Sequence, residues 1–153
     1  METIRDFEDL LEILGEHRVR YLIVGGLAFI FHAKPRFTKD MDLWVDPRTD
    51  NVERTNRALV EFGSPHLLDP DDDQEILQLG VAPNRIDILR DPASAGGPTF
   101  DEAWERRILS PYGDAEASWI DLDGLYEIKR HIDHPRHQED ARVLKLVRDR
   151  RGE

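Results

Sequence analysis

The pattern that most constrains the fold of this chain lies in residues 22–44, LIVGGLAFIFHAKPRFTKDMDLW. A short apolar run ends at Gly25-Gly26, and glycines permit a turn in which the backbone approaches a bound group closely. Asp40 and Asp42 follow, one residue apart, and alternate residues of a strand project to the same face. The spacing predicts a buried strand, a glycine turn, a short helix, and a second strand that carries two carboxylates.

A third acid extends this pattern. Asp87 lies between apolar neighbours in residues 85–89, RIDIL, which predicts a strand with one more carboxylate beside the first two. Oxygen ligands of this kind suit Mg²⁺. A strand, Gly-Gly and a helix in succession point backbone N–H groups at an anion. Together these features indicate a metal-held nucleoside triphosphate.

The same motifs resemble the polymerase-β-type nucleotidyltransferase superfamily, over about Tyr21 to about Leu144. Within it the chain is most similar to small bacterial members, including the AbiEii-type toxin nucleotidyltransferases. The resemblance implies an α/β (α+β) minimal nucleotidyltransferase fold: a mixed twisted sheet of about five strands, flanked by helices, with carboxy-terminal helices. It also implies an enzyme that moves a nucleoside monophosphate from a nucleoside triphosphate (NTP) to an acceptor.

The resemblance assigns roles to the motif residues. Asp40, Asp42 and Asp87 would hold the metal, with two Mg²⁺ ions expected and Mn²⁺ possible, and all three would be catalytic. Two such ions can stabilise the attacking and leaving oxygens together. Gly25 and Gly26 would present backbone amides to the β- and γ-phosphates of the NTP. Family members often have Gly-Ser here, so this chain would depend on backbone contacts.

Three further side chains are predicted to bind the nucleotide. In an extended segment Arg36 and Thr38 project to the side of Asp40, and Arg-x-Thr before Asp-x-Asp recurs in AbiEii-like proteins. The other interpretation of Arg36 is that it balances a cluster of acids. Lys129 matches the family lysine near the triphosphate, which would make it catalytic as well; the alternative is a solvated helix lysine.

Four positions have no assigned role. His32 matches a histidine common in this group, although a packed or capping histidine is the stronger interpretation. Asp140 matches the last acid of the carboxy-terminal motif, whereas His134 and His137 stand where the family more often has Arg and Asp. Because Pro135 interrupts the helical face that the histidines would share, a zinc site is not expected.

Length and composition set the remaining limits. A chain of 153 residues predicts a single domain, 1–153. It has no cysteine, so any metal must be held by oxygen or imidazole. The longest apolar stretches are shorter than the ~20 residues needed to cross a bilayer, and the acidic amino terminus is unlike a signal peptide. We therefore expect a cytoplasmic protein without a membrane partner.

The acceptor is left open between RNA (including transfer RNA), a protein side chain and a small molecule such as an aminoglycoside. The net charge of −11 argues against an extended electrostatic contact with nucleic acid. Residues 125–153, however, contain eight basic and six acidic residues, a net +2, so the preceding residues carry −13. An antitoxin partner would fit the toxin resemblance.

The competing hypothesis is a non-catalytic nucleotide-binding or partner-binding module that keeps the fold. Three retained acids favour the enzyme, since like charges held together are costly without a function.

Periodicity and turn residues predict the other elements. These are helices over 4–15, 27–33, 51–62, 100–108, 122–132 and 136–148, and strands over 20–24, 42–45, 76–81, 85–89 and 115–120. The acidic run at residues 71–73 lacks the glycine and distal Glu of a calcium loop and is expected to be a solvated turn.

Overall fold

The computed structural model describes residues 3–81, 84–92 and 96–152, which form one mixed sheet with helices on both faces. The elements in chain order are α1 (Arg5–Glu16), β1 (Tyr21–Val24), α2 (Gly25–His32), β2 (Asp40–Val45), α3 (Thr49–Phe62), β3 (Leu77–Leu79), β4 (Arg85–Leu89), α4 (Phe100–Glu105), β5 (Ile108–Tyr112), β6 (Ala115–Trp119), α5 (Leu122–Arg130) and α6 (Pro135–Arg151). Among the helices described, none is long and apolar enough to cross a membrane.

The six strands lie in the order β3-β4-β2-β1-β6-β5. Strand β1 is antiparallel to β2 and parallel to β6, and β2 is parallel to β4. Two antiparallel hairpins, β3-β4 and β5-β6, form the edges. The predicted mixed sheet flanked by helices is confirmed. The segment that joins β3 to β4 includes residues 82 and 83, which lie outside the described residues.

The sheet has one strand more than the sequence predicted. The helix expected over 100–108 ends at Glu105, and Ile108 instead begins β5, which continues through Pro111 to Tyr112. Proline cannot donate to a sheet ladder, so Pro111 is unfavourable inside a sheet. At a sheet edge this deficit is tolerated, and β5 is an edge strand whose partner is β6.

Alternation along the strands divides the core into two layers. Met41, Leu43 and Val45 of β2 pack with α1 and α3 on one face of the sheet. Trp44 packs on the other face, in the layer that contains apolar residues of α5 and α6. Because alternate residues share a face, Asp40 and Asp42 project to the α5–α6 side.

Candidate active site

The predicted carboxylates meet where β2 and β4 run side by side. In this parallel pair Asp42 lies opposite Asp87, and Asp40 lies opposite Arg85. The apolar residues between them, Met41 and Ile86, are buried on the far face, which holds the acids on the near one. Asp87 is itself buried. Two strands in this register therefore bring two carboxylates within one inter-strand spacing, ~4.8 Å.

Burial and the neighbouring acids shift the pKa of Asp42. Burial, and next the neighbouring Asp87 and Asp40 carboxylates, together raise the pKa of the Asp42 carboxyl to about 6. An ionised carboxylate in such a place is destabilised unless a cation compensates it. Three acids in one place therefore form a site where cation binding is favoured.

Arg85 is the cation that contacts the acids in this structure. Its Nε lies 2.9 Å from Asp87 Oδ1, and its terminal nitrogen lies 3.2 Å from Asp87 Oδ2 and 3.5 Å from Asp40 Oδ2. Its side chain is about a third exposed (36%), so it borders solvent. Arg85 thus supplies positive charge to two of the acids that are predicted to hold a metal ion.

The glycine turn abuts Asp42 directly. Val24 ends β1 opposite Asp42, and α2 begins at Gly25 itself, two residues earlier than predicted. Gly25 has φ +67°, and a Cβ there would lie 2.1 Å from Asp42 Oδ2. A Cβ on Gly26 would lie 3.0 Å from Thr38 Oγ1. Within the described residues no side chain caps α2, so its first N–H groups remain available to an anion.

Lys129 approaches the same region from α5. It is buried at 4% exposure, and its Nζ lies 3.0 Å from Asp140 Oδ2 and 3.2 Å from His137 Nδ1. Burial lowers the Lys129 pKa, which the Asp140 carboxylate partly offsets. Burial also lowers the His137 pKa, and the adjacent Lys129 cation lowers it further. His137 is therefore neutral at pH 7 and accepts a hydrogen bond from Lys129.

Arg36 belongs to this cluster through Asp140 rather than through the acids of β2 and β4. Its guanidinium donates two hydrogen bonds to the Asp140 carboxylate and lies 4.0 Å from the centre of the Phe29 ring. Burial would raise the pKa of Asp140, but the bonds from Arg36 and Lys129 hold it below its usual value. The geometry of Arg36 agrees with its interpretation as a charge-balancing residue.

Several of these groups line one cleft of about 350 Å³. Its polar lining consists of Gly25, Asp42, Asp87, Lys129 and His137, and its apolar lining includes Ile76, Leu125 and Ile128. Four of the predicted site residues therefore share one cleft with His137. Asp40 and Gly26 adjoin it through their strand and helix neighbours, whereas Arg36 and Thr38 line a different cavity.

Within residues 3–81, 84–92 and 96–152, no three His, Asp or Glu side chains already surround a point that could hold a metal ion. The donor chemistry nevertheless fits a divalent ion, because the cleft offers the carboxylate oxygens of Asp42 and Asp87 beside the glycine turn. Outward rotation of Arg85 would free Asp87 and Asp40 as ligands.

His32 and His134 lie outside this cleft and make hydrogen bonds to the backbone. His32 is buried, and its Nε2 donates to the Ile120 carbonyl at 2.7 Å. His134 caps α6, where its Nδ1 accepts from the Arg136 N–H at 3.1 Å. Sequence reasoning missed the contacts of His137 and of the pair Lys129–Asp140, because no spacing signal links residues on two different helices.

No protein-family model and no curated protein matches the chain. Solved structures do. The lincosamide antibiotic adenylyltransferase LnuA, in its lincomycin-bound structure, superposes with a TM-score of 0.60 at 15% identity, covering 95% of this chain and 99% of that one. The chain has the nucleotidyltransferase fold. ANT(2")-Ia in complex with adenylyl-2"-tobramycin superposes with a TM-score of 0.57 at 13% identity, covering 94% of this chain and 93% of that one. TM1012 of Thermotoga maritima, provisionally assigned as a nucleotidyltransferase, superposes with a TM-score of 0.57 at 15% identity, covering 95% of this chain and 92% of that one.

The nucleotidyltransferase fold accounts for the connectivity of the site. It joins the glycine turn, both acidic strands and the carboxy-terminal helices around one cleft, although these elements are distant in sequence.

Proposed function

We propose that this protein is a metal-dependent nucleotidyltransferase of the polymerase-β-type superfamily, formed by residues 1–153 as a single domain. One observation carries the proposal: Asp42 and Asp87 lie in register beside a glycine whose Cβ would collide with Asp42, in a cleft that also contains Lys129. Such a cleft combines ligands for a cation with donors for a phosphate.

In this proposal Asp40, Asp42 and Asp87 hold two Mg²⁺ ions, with Mn²⁺ as an alternative. When bound, the ions supply charge neutralisation at the phosphates and lower the pKa of the acceptor hydroxyl. Gly25 and Gly26 present N–H groups to the β- and γ-phosphates. Lys129, positioned by Asp140, adds positive charge on the same cleft.

The reaction forms one bond and breaks one. The acceptor oxygen bonds to the α-phosphorus of the NTP, the bond from that phosphorus to the bridging oxygen breaks, and pyrophosphate leaves with the bonding electrons. The hydroxyl proton passes to a carboxylate oxygen of Asp87. Arg36 acts through Asp140, which it helps to hold against Lys129. Thr38 supports the turn at Gly26.

A second candidate function is a non-catalytic module that binds nucleotide or a partner. The contacts of Arg85 favour it, because an internal guanidinium that bridges Asp87 and Asp40 can neutralise the acids without metal. The two functions differ in their response to Arg85→Gln. An enzyme gains metal affinity from this change, whereas a metal-free module only loses stability.

For the acceptor we propose a small molecule with a hydroxyl group. The net charge of −11 disfavours nucleic acid, and two proteins of the same fold carry names or ligands that specify antibiotic acceptors. An RNA acceptor and an antitoxin partner, as in AbiEii-type systems, form the alternative. In that case Lys145 and Arg150, on the exposed face of α6, would contact the RNA phosphates, since neither makes an ion pair in the part of the chain described. We place the protein in the cytoplasm, where NTPs are supplied.

Calorimetry with ATP, CTP, GTP and UTP, each with and without Mg²⁺, tests the metal site directly. We expect at least tenfold tighter binding with Mg²⁺, because three carboxylates repel a bare triphosphate. Asp42→Asn and Asp87→Asn should abolish the Mg²⁺ effect and the transfer of label from α-labelled NTP in cell extract. The exposed Asp9→Asn is the matched control. Equal binding with and without metal would contradict the proposal.

Lys145→Gln/Arg150→Gln decides between the acceptors. If RNA is the acceptor, this variant should raise KM and flatten the salt dependence of transfer; with a small-molecule acceptor neither quantity should change.

A further inference from the structure

A second cavity lies away from the nucleotide cleft. It has a volume of about 810 Å³, is open to solvent, and is bordered by the start of α1, by α2 and by residues 35–39. Among the described residues, none lines both cavities. The volume falls within the range of small-molecule sites, about 300–1,000 Å³. The walls are mainly apolar and include Phe7, Leu27, Ile30 and Tyr112.

The charge of this cavity is opposite to that of the protein. The chain has 32 acidic and 21 basic residues, yet no acid in the described part of the chain lines the cavity, and its charged side chains are Arg36 and Lys39. Asp140 neutralises Arg36 through a two-bond ion pair. Lys39 has no carboxylate within ion-pairing distance among the described residues, and its Nζ lies 4.9 Å from the centre of the Phe37 ring.

Phe37 provides an apolar surface beside this cation. Its side chain is 79% exposed, so most of the ring faces solvent rather than the core. An exposed aromatic ring at the mouth of an apolar cavity is a site where a ligand ring can bury surface. Lys39 and Phe37 therefore offer one ionic and one aromatic contact at the same entrance.

We propose that this cavity is a second ligand site, which binds a small molecule that combines an apolar ring system with one acidic group. The rings pack against Phe37 and Ile30, and the acidic group pairs with Lys39. A lining that is cationic rather than acidic disfavours a polycationic ligand. The site also touches the nucleotide turn, because Thr38 lines the cavity and contacts the position of Gly26.

Two fluorescent probes that differ by one charge test this site in the full-length protein. 8-Anilinonaphthalene-1-sulfonate has an apolar ring system and a sulfonate, and N-phenyl-1-naphthylamine has the same rings without the charge. Lys39→Gln should weaken binding of the sulfonate about two- to fivefold, as expected for a partly exposed ion pair, and leave the neutral probe within a factor of about two.

Two further variants locate the probes. Phe37→Ala, at an exposed position outside the core, should weaken binding of both probes by about fivefold or more. Ile30→Trp should block both probes by filling the cavity. Lys145→Gln and Val60→Ala are the matched controls, a surface cation and a 63% exposed apolar residue that do not line the cavity. Neither control should change either affinity.

Three outcomes would overturn the proposal. These are an unchanged affinity for both probes in Phe37→Ala, an equal response of the two probes to Lys39→Gln, or displacement of the sulfonate by ATP with Mg²⁺, which would locate it in the nucleotide cleft. The first two arms do not depend on nucleotide binding. The probe measurements on Phe37→Ala and Lys39→Gln therefore still test the cavity if the protein has no transferase activity.

Discussion

Asp42→Asn should stabilise the metal-free protein at neutral pH, although it removes a central residue of the site. The pKa of Asp42 rises from 3.8 in the unfolded chain to about 6 in the folded one, chiefly because of burial and next because of Asp87. A rise of about two units corresponds to about 3 kcal/mol of destabilisation by the ionised carboxylate. Partial exposure of Asp42 reduces the expected gain to about 1–3 kcal/mol.

The sign follows from proton linkage. Since the folded pKa lies above the unfolded one, the contribution of Asp42 to wild-type stability falls as pH rises from about 4 through about 6. Asparagine has no such titration. The stability difference between Asp42→Asn and wild type should therefore be small near pH 4, grow up to about pH 6 and stay constant above it.

Urea unfolding in EDTA at a series of pH values measures this difference. Asp46→Asn is the contrasting control, because Asp46 is a buried carboxylate paired with Arg20 at 3.4 Å and Arg48 at 3.2 Å, so its neutralisation should destabilise the fold. Added Mg²⁺ should stabilise wild type and leave Asp42→Asn unchanged. If Asp42→Asn were less stable than wild type at pH 7.5 in EDTA, the carboxylate would be a structural partner and the reasoning would be refuted.

Three other changes test the surroundings of the acids. Arg85→Gln should tighten Mg²⁺ binding several-fold, measured by calorimetry, because it removes the guanidinium that competes for Asp87; weaker binding would assign Arg85 a supporting role. Asp140→Asn should lower stability in urea by about 3 kcal/mol, since it leaves the buried Lys129 without its carboxylate, and a loss below about 1 kcal/mol would contradict that pairing. Gly25→Ala should destabilise the protein and abolish nucleotide binding. The control is Gly15→Ala, whose Cβ would meet no described heavy atom within 4 Å and which should stabilise α1 by about 0.5–1 kcal/mol. A thermal shift of the same sign for both variants would refute the steric argument.

Local pattern predicted the acidic half of the site. The alternation around Asp42 and Asp87 determines which face of a strand each carboxylate occupies, and the glycine pair marks the turn that meets them. These features depend on neighbours within a few residues. For the same reason most helices and strands were predicted to within a few residues of their observed ends.

Strand β5 shows where local pattern misleads. Pro111 is unfavourable in a strand taken by itself, and only its place at the sheet edge makes it acceptable. That place depends on how β6 pairs with β1, which brings together residues far apart in the chain.

The contacts of the basic residues in the site depend on tertiary structure. Lys129 on α5 and Asp140 on α6 meet only because the two helices pack together, and Arg36 reaches the same carboxylate from the segment before β2. Arg36 and Lys39 also border a second cavity, which no spacing along the chain indicated. Sequence alone determined which carboxylates share a strand face, since that follows from backbone geometry. Tertiary structure decided which cation each acid meets, because such contacts arise only when distant elements pack.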